Sequence, residues 1–207
     1  MEREIKLSPV MAKTASEIFA APDIAPFLGP LERTDMETVY FTDSQGVLEG
    51  LKAALRLRRE NGVSVCCFKM EKAVGRALSE RLELSCEAPD IKSGAHDLAL
   101  MPEMPESAKN TLLNGELLPV CSCVFTRTHG VFEKDGLSFV LSYDTGELSK
   151  GKAKGSICEL ELEHVSGDIS LMEKLADDIC AKYGLSPCSL SKYQRTMALM
   201  DTDEKAL

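Results

Sequence analysis

The sequence predicts an α+β fold in which a many-stranded antiparallel sheet carries most of the chain and a few helices flank it. Three observations point there. Charged and apolar residues alternate with period two in four separate segments. Turn signals such as Asn61-Gly62 and Asp135-Gly136 join neighbouring strand patterns. Helical spacing is confined to a few stretches, clearest over 168–182.

In chain order, residues 2–7 read as a strand. Ser8 and Pro9 then open a helix through Val10, Ala15, Ile18 and Phe19, because Ser caps well and Pro is tolerated in the first turn. Residues 33–42 form a strand rich in strand formers, and 47–53 a short helix. Strands over 54–60 and 63–70 are joined by Asn61-Gly62, and a further strand covers 77–86. Residues 89–114, punctuated by Pro and Met, read as a loop and a short helix. Strands recur at 117–127, 131–134, 137–143 and 156–165, with Asp144-Thr145-Gly146 read as a turn. The helix over 168–182 stops at Gly184, and a last short helix spans 189–200. One domain over 1–200 is expected, followed by a frayed tail over 201–207.

Composition narrows the function. The chain has 207 residues, 44% of them hydrophobic and 28% charged, so it can bury a core. With 33 acidic against 24 basic residues and a net charge of −9, it lacks the basic footprint of a nucleic-acid binder. No apolar run is long enough for a membrane span, and the charged start MEREIKLS is unlike a secretory signal, which points to the cytoplasm. The eight cysteines lack the CxxC spacing of structural zinc sites and are expected as reduced, buried thiols. His129 reads as a turn residue, and Tyr40 and Phe41 as core.

The charges on the alternating strands carry the chemistry. Glu2, Glu4 and Lys6 share one face, as do Arg56 and Arg58, Arg81 and Glu83, and Glu159, Glu161 and Glu163. A solvated face accounts for any one of them. Their signs sort by strand, acidic on the first and over 159–163 and basic over 56–58, and like charges about 7 Å apart on a strand repel unless something lies between them. A divalent cation relieves paired carboxylates, and a polyanion relieves paired arginines. If the sheet closes into a barrel with these faces inward, arginine forks suit phosphate and glutamates suit a hard cation.

These residues resemble a family. Glu2-x-Glu4-x-Lys6 is similar to the ExExK motif of the CYTH superfamily, the CyaB and thiamine-triphosphatase group also called triphosphate tunnel metalloenzymes. Further similarities follow in family order: 39–43 (VYFTD), 55–62 (LRLRRENG), Phe68-Lys69, Arg81-Leu82-Glu83, 125–127 (FTR), 143–147 (YDTGE), 157–163 (ICELELE) leading into Ser166-Gly167-Asp168, and Leu190-Ser191-Lys192. The pattern most resembles the bacterial inorganic-triphosphatase branch.

The resemblance implies an eight-stranded antiparallel β-barrel, a triphosphate tunnel, with flanking helices. It implies hydrolysis of inorganic triphosphate to diphosphate plus phosphate with Mg2+ or Mn2+. Lys6, Arg56, Arg58, Lys69, Arg81, Arg127 and Lys192 match phosphate-binding positions, Lys192 lying on a C-terminal helix that closes one side. Glu2, Glu4, Asp144, Glu159 and Glu161 match metal-binding acids, with Glu163 as a second register of the ELELE run and Glu83 a further tunnel residue. Glu4 and Lys6 would act in catalysis, Lys6 by positioning the attacking water or holding the departing phosphate. Two departures stand out: residues 137–142 carry no charge where relatives often have an extra acid, and Thr128-His129 replaces expected charged residues. Hydrolysis of thiamine or nucleoside triphosphate, class IV adenylate cyclisation, and polyphosphate binding without turnover are the alternatives.

Overall fold

The computed structural model describes residues 2–74 and 78–200. Ala77, expected to open a strand, and the expected frayed tail over 201–207 lie outside the described residues. Eight strands form a closed antiparallel barrel: β1 (Glu2–Leu7), β2 (Glu32–Asp43), β3 (Ala53–Glu60), β4 (Val63–Val74), β5 (Leu78–Glu87), β6 (Leu117–Lys134), β7 (Leu137–Lys150) and β8 (Ala153–Ser166). Their order around the barrel is β1-β5-β4-β3-β2-β6-β7-β8. Among the described residues six α-helices accompany them: α1 (Ala12–Phe19), α2 (Val47–Gly50), α3 (Ile91–Ala99), α4 (Glu106–Asn114), α5 (Ile169–Tyr183) and α6 (Lys192–Met197).

Closure satisfies every strand edge, and the helices cover the outer apolar faces. One core packs α1 and α5 on β1, β7 and β8 through Ile5, Ile18, Leu141, Leu160, Leu162 and Met172. A second packs α2, α3 and α4 on β3 and β4 through Leu48, Leu55, Phe68, Leu98 and Leu112. Gly94 of α3 permits this approach, since a Cβ there would fall 2.3 Å from the Cβ of Cys66. A third cluster, Met36, Tyr40, Cys123, Phe125, Leu148 and Ile157, fills part of the barrel interior beneath Tyr193 and Met197 of α6.

The structure corrects several sequence expectations. Asp144-Thr145-Gly146 is not a turn: β7 runs straight through it, pairing with β6 on one side and β8 on the other. Gly146 is needed for a close approach, because a Cβ would fall 2.2 Å from the carbonyl oxygen of Val124. The reversal comes instead at Gly151, where φ is +56°. His129 is likewise no turn residue, because β6 is one strand through 117–134 and His129 pairs with Glu32 and Ser142. The helix expected from Ser8 begins at Ala12. The Ser8 hydroxyl donates instead to the carbonyl of Cys158, 3.4 Å away, and Val10 N–H donates to the same carbonyl. Residues 89–114 hold two helices, and the last helix is shorter than expected, spanning only Lys192–Met197.

Asn61-Gly62 does turn β3 into β4, with φ of +47° and +94°. All eight cysteines are free thiols.

Asp43, at the end of β2, organises α2. Its carboxylate accepts the backbone N–H groups of Gln45, Val47 and Leu48 at 2.8–3.0 Å. Burial pushes its pKa up, but these three bonds outweigh it and hold the group below its ordinary 3.8. The stabilisation is therefore present above about pH 3.8 and lost as pH falls through the lower folded value. Asp43→Ala is expected to cost about 1–2 kcal/mol in urea unfolding at neutral pH, and the gap to wild type should narrow on acidification. Gly146→Val should cost about 1–3 kcal/mol by overpacking. Wild-type unfolding of the valine variant would contradict the strand-through assignment.

Candidate functional site

Alternation along the strands decides which side chains enter the barrel. Glu2, Glu4 and Lys6 from β1, Arg56 and Arg58 from β3, Lys69 from β4, and Arg81 and Glu83 from β5 line one cavity of about 790 Å³. Arg127 from β6, Glu161 and Glu163 from β8, and Lys192 from α6 complete its charged wall. Asp144 and Glu159 are wholly buried, behind Lys192 and Arg127. The sequence-derived residues thus converge on one interior.

The acids separate into groups. Asp144 pairs with Glu159 in strand register, Ser142 with Glu161, and Val140 with Glu163. Asp144, Glu159 and Glu161 each offer one oxygen within 4.8 Å of the others. Three carboxylate oxygens at that spacing could hold a metal ion. Basic side chains surround them. Lys192 Nζ lies 2.6 Å from Asp144 Oδ2 and 3.0 Å from Glu161 Oε1, and closely contacts Glu159 Oε1. Arg127 grips Asp144 with two bonds of 2.7 Å and also contacts Glu161. Burial pushes Asp144 and Glu161 up in pKa, but Lys192 and Arg127 outweigh it and keep both ionised, with Lys6 adding to the effect on Glu161. At Glu159 burial wins over Lys192, and the neighbouring Glu161 adds to it, so its pKa is raised.

The second group lies around β1. Lys69 donates to both oxygens of Glu2, at 2.7 and 2.9 Å, and contacts Glu83 at 2.8 Å. Glu4 sits between Arg81 and Lys6, whose Nζ is 3.3 Å from Glu4 and 3.5 Å from Glu161. Lys6 therefore bridges the two acidic groups. Burial lowers its pKa, but Glu4 and Glu161 outweigh that, and the ammonium stays charged. Glu163 stands across from Glu4, and burial raises its pKa despite Lys69 and Arg127.

The Arg56–Arg58 pair is the least satisfied part of the wall. Arg56 faces Glu83 at 3.7 Å, and its buried Nε has no hydrogen-bond partner among the described residues. Arg58 donates to Thr38 Oγ1 at 3.0 Å, lies 3.5 Å from Glu60, and covers the Phe125 ring at 5.4 Å. Burial and the adjacent Arg56 both disfavour its charge. Arg56 Nε is therefore a buried donor that an added acceptor could satisfy.

Sequence reasoning missed Arg195, which contacts the outer oxygen of Glu159. The signal was available, since Lys192-x-x-Arg195 puts two cations on one helical face. It also missed Gln194, which completes the capping box with Ser191 and donates to Glu71 of β4 at 3.1 Å. His129 lines the cavity rather than a turn. Tyr40 is buried as expected, but its ring also meets Tyr193 at 5.2 Å on the cavity wall.

The CYTH domain family matches residues 1–197, and the chain belongs to it. A Hippeastrum protein, named as a candidate adenylyl cyclase and described as having a dominant triphosphatase activity, superposes with a TM-score of 0.63 at 18% identity over 96% of each chain. A Pyrococcus horikoshii OT3 protein gives 0.55 at 17% identity, covering 94% of this chain and 98% of that one. A candidate adenylate cyclase from Bacillus halodurans gives 0.50 at 14% identity over the whole of both chains. At these identities the likeness is one of fold. Among the described residues, no helix is long and apolar enough to cross a membrane.

The Glu2–Glu83 pair gives a titration test. Burial raises Glu2 to about 7 against the pull of Lys69, with Glu83 and Glu4 pushing the same way, while Lys69 and Arg56 overcome burial at Glu83 and hold it at about 2. The stability contributed by Glu2 is therefore full below about pH 4.5 and lost as pH rises through about 7. Glu83→Gln removes a like charge and is expected to lower the Glu2 pKa in a carbon-13 carboxyl titration without added metal. An unchanged midpoint would contradict the coupling.

Proposed function

We propose that this CYTH-family chain hydrolyses inorganic triphosphate to diphosphate plus phosphate, with Mg2+ or Mn2+ at Asp144, Glu159 and Glu161. CYTH-domain proteins are metal-dependent enzymes that act on triphosphate groups, as triphosphatases or cyclases. One observation carries the finer reading: the under-satisfied Arg56–Arg58 pair and the three-carboxylate cluster belong to one barrel interior. Cations that grip a polyanion therefore work beside acids that hold a metal, which is the equipment of phosphoryl transfer.

Arg56 and Arg58 take phosphate oxygens bidentately, and Lys69 and Arg81 hold the chain along β4 and β5. A bound divalent ion lowers the pKa of a water and neutralises charge on the phosphoryl oxygens. Glu4, kept ionised between Lys6 and Arg81, accepts a hydrogen bond from the attacking water. Water oxygen bonds to the terminal phosphorus as the bridging P–O bond breaks, the water's proton passes by way of Glu4 to a phosphoryl oxygen of the products, and diphosphate leaves. Lys6, charged and buried, cannot accept a proton and serves as a donor to the departing or transferred phosphoryl oxygens. We read residues 1–200 as one catalytic domain acting on a small anion in the cytoplasm, with Glu2, Glu163 and Glu83 tuning the basic wall or adding metal ligands.

The Tyr40–Tyr193 ring pair on the cavity wall favours a second reading, an organic triphosphate whose non-phosphate end meets those rings. Phosphate release from triphosphate, ATP and thiamine triphosphate, with cyclic AMP measured alongside, separates the two. Inorganic triphosphate should be the fastest substrate. Arg56→Ala and Glu4→Gln should each lower turnover by about 10²-fold or more while leaving far-UV circular dichroism unchanged. Wild-type turnover in both would overturn the assignment, and thermal stabilisation by triphosphate without release at any metal concentration would make the chain a binding module.

A further inference from the structure

The three-carboxylate cluster has inner and outer oxygens, and its basic neighbours divide between them. The Lys192 ammonium contacts one oxygen from each acid: Asp144 Oδ2, Glu159 Oε1 and Glu161 Oε1. It sits where three ligand atoms converge, the place a coordinated cation would take. Arg195, one helical turn on, contacts the other oxygen of Glu159, Oε2. Arg127 holds the outer oxygen of Glu161 and both oxygens of Asp144.

Helix α6 has attachments to the barrel besides Lys192. Ser191 and Gln194 close its N-terminal end with a capping box, and Lys150 Nζ donates to the Met197 carbonyl at 2.8 Å at its other end. Tyr193, Met197 and Leu199 pack on the apolar part of the barrel interior. None of these attachments involves the Lys192 side chain.

We propose that Arg195 is a positioning residue that holds Glu159 for a divalent cation, and that Lys192 is a placeholder the cation must displace. The assignment rests on the metal site of the proposed function and gives its two α6 cations opposite effects on it. Hydrogen bonds to the outer oxygens of ligating carboxylates fix their orientation and keep their inner oxygens convergent. The displaced ammonium remains at the cavity wall, where phosphate oxygens are the acceptors it meets next. Metal and triphosphate then favour each other's binding reciprocally, because each relieves the charge the other leaves uncompensated.

The test is calorimetric titration of the chelator-treated protein with Mn2+ alone, so that no turnover is involved. Lys192→Met should bind Mn2+ several-fold tighter than wild type, and Arg195→Ala about 10–100-fold weaker, with Arg195→Lys recovering much of the loss. Should Arg195→Ala not fold, Arg195→Lys and Arg195→Gln take its place, and equal affinities in these two overturn the positioning role. An unchanged or weaker affinity in Lys192→Met overturns the placeholder role. Wild type should also bind triphosphate more tightly with Mn2+ present than without, measured on a timescale shorter than turnover. Hydrolysis with no such opposite shifts would sink this inference and leave the proposed function standing. Opposite shifts without phosphate release would do the reverse.

Discussion

An ionised carboxylate or ammonium taken out of water loses several kcal/mol of hydration even after the protein relaxes around it. Among the described residues, the barrel interior gathers eight titratable side chains at 6% exposure or less: Glu4, Asp144, Glu159 and Glu161 against Lys6, Arg58, Arg81 and Lys192. They persist only because each lies against an opposite charge or a hydrogen-bond acceptor. The barrel supplies the geometry for that. Closed antiparallel pairing fixes every strand register, so Glu2 stands across from Arg81, Lys6 from Glu161, and Arg127 from Asp144. A one-residue slip in any strand would turn its charges outward and its leucines inward.

The same constraint explains why the interior can bind. Charges that neutralise one another are stable but exchangeable, since a metal ion can stand in for an ammonium and a phosphate for a carboxylate. In the proposed function the poorly neutralised Arg56 and Arg58 take the anion, and the densely paired Asp144, Glu159 and Glu161 take the cation. The apolar cluster of Met36, Tyr40, Phe125 and Ile157 lines one part of the interior and packs against Tyr193 and Met197 of α6. Apolar surroundings strengthen every ionic contact nearby.

Much of this was legible in the sequence because period two is a direct record of which side chains share a face. The ELELE run and the paired arginines named the charged wall, and Asn61-Gly62 placed a hairpin correctly. What failed were signals that depend on distant partners. Asp144-Thr145-Gly146 has turn composition, yet its glycine answers a close approach by β6 that no local pattern reveals. Thr128-His129-Gly130 misled in the same way. Ser8 looked like a cap, but its hydroxyl is used by β8. Lys192-x-x-Arg195 showed two cations on one helical face, but the partner of Arg195, Glu159, lies 36 residues away in the chain. The sign and spacing of charges were readable locally, and their pairing was not.

The account turns on where a divalent ion sits and what it moves. Anomalous diffraction from crystals grown with Mn2+ and a triphosphate analogue that resists hydrolysis measures both at once. It should place Mn2+ among the inner oxygens of Asp144, Glu159 and Glu161, with Lys192 turned onto a phosphate oxygen and the chain of phosphates on Arg56 and Arg58. A manganese peak away from these three acids, with Lys192 still among them, would contradict it.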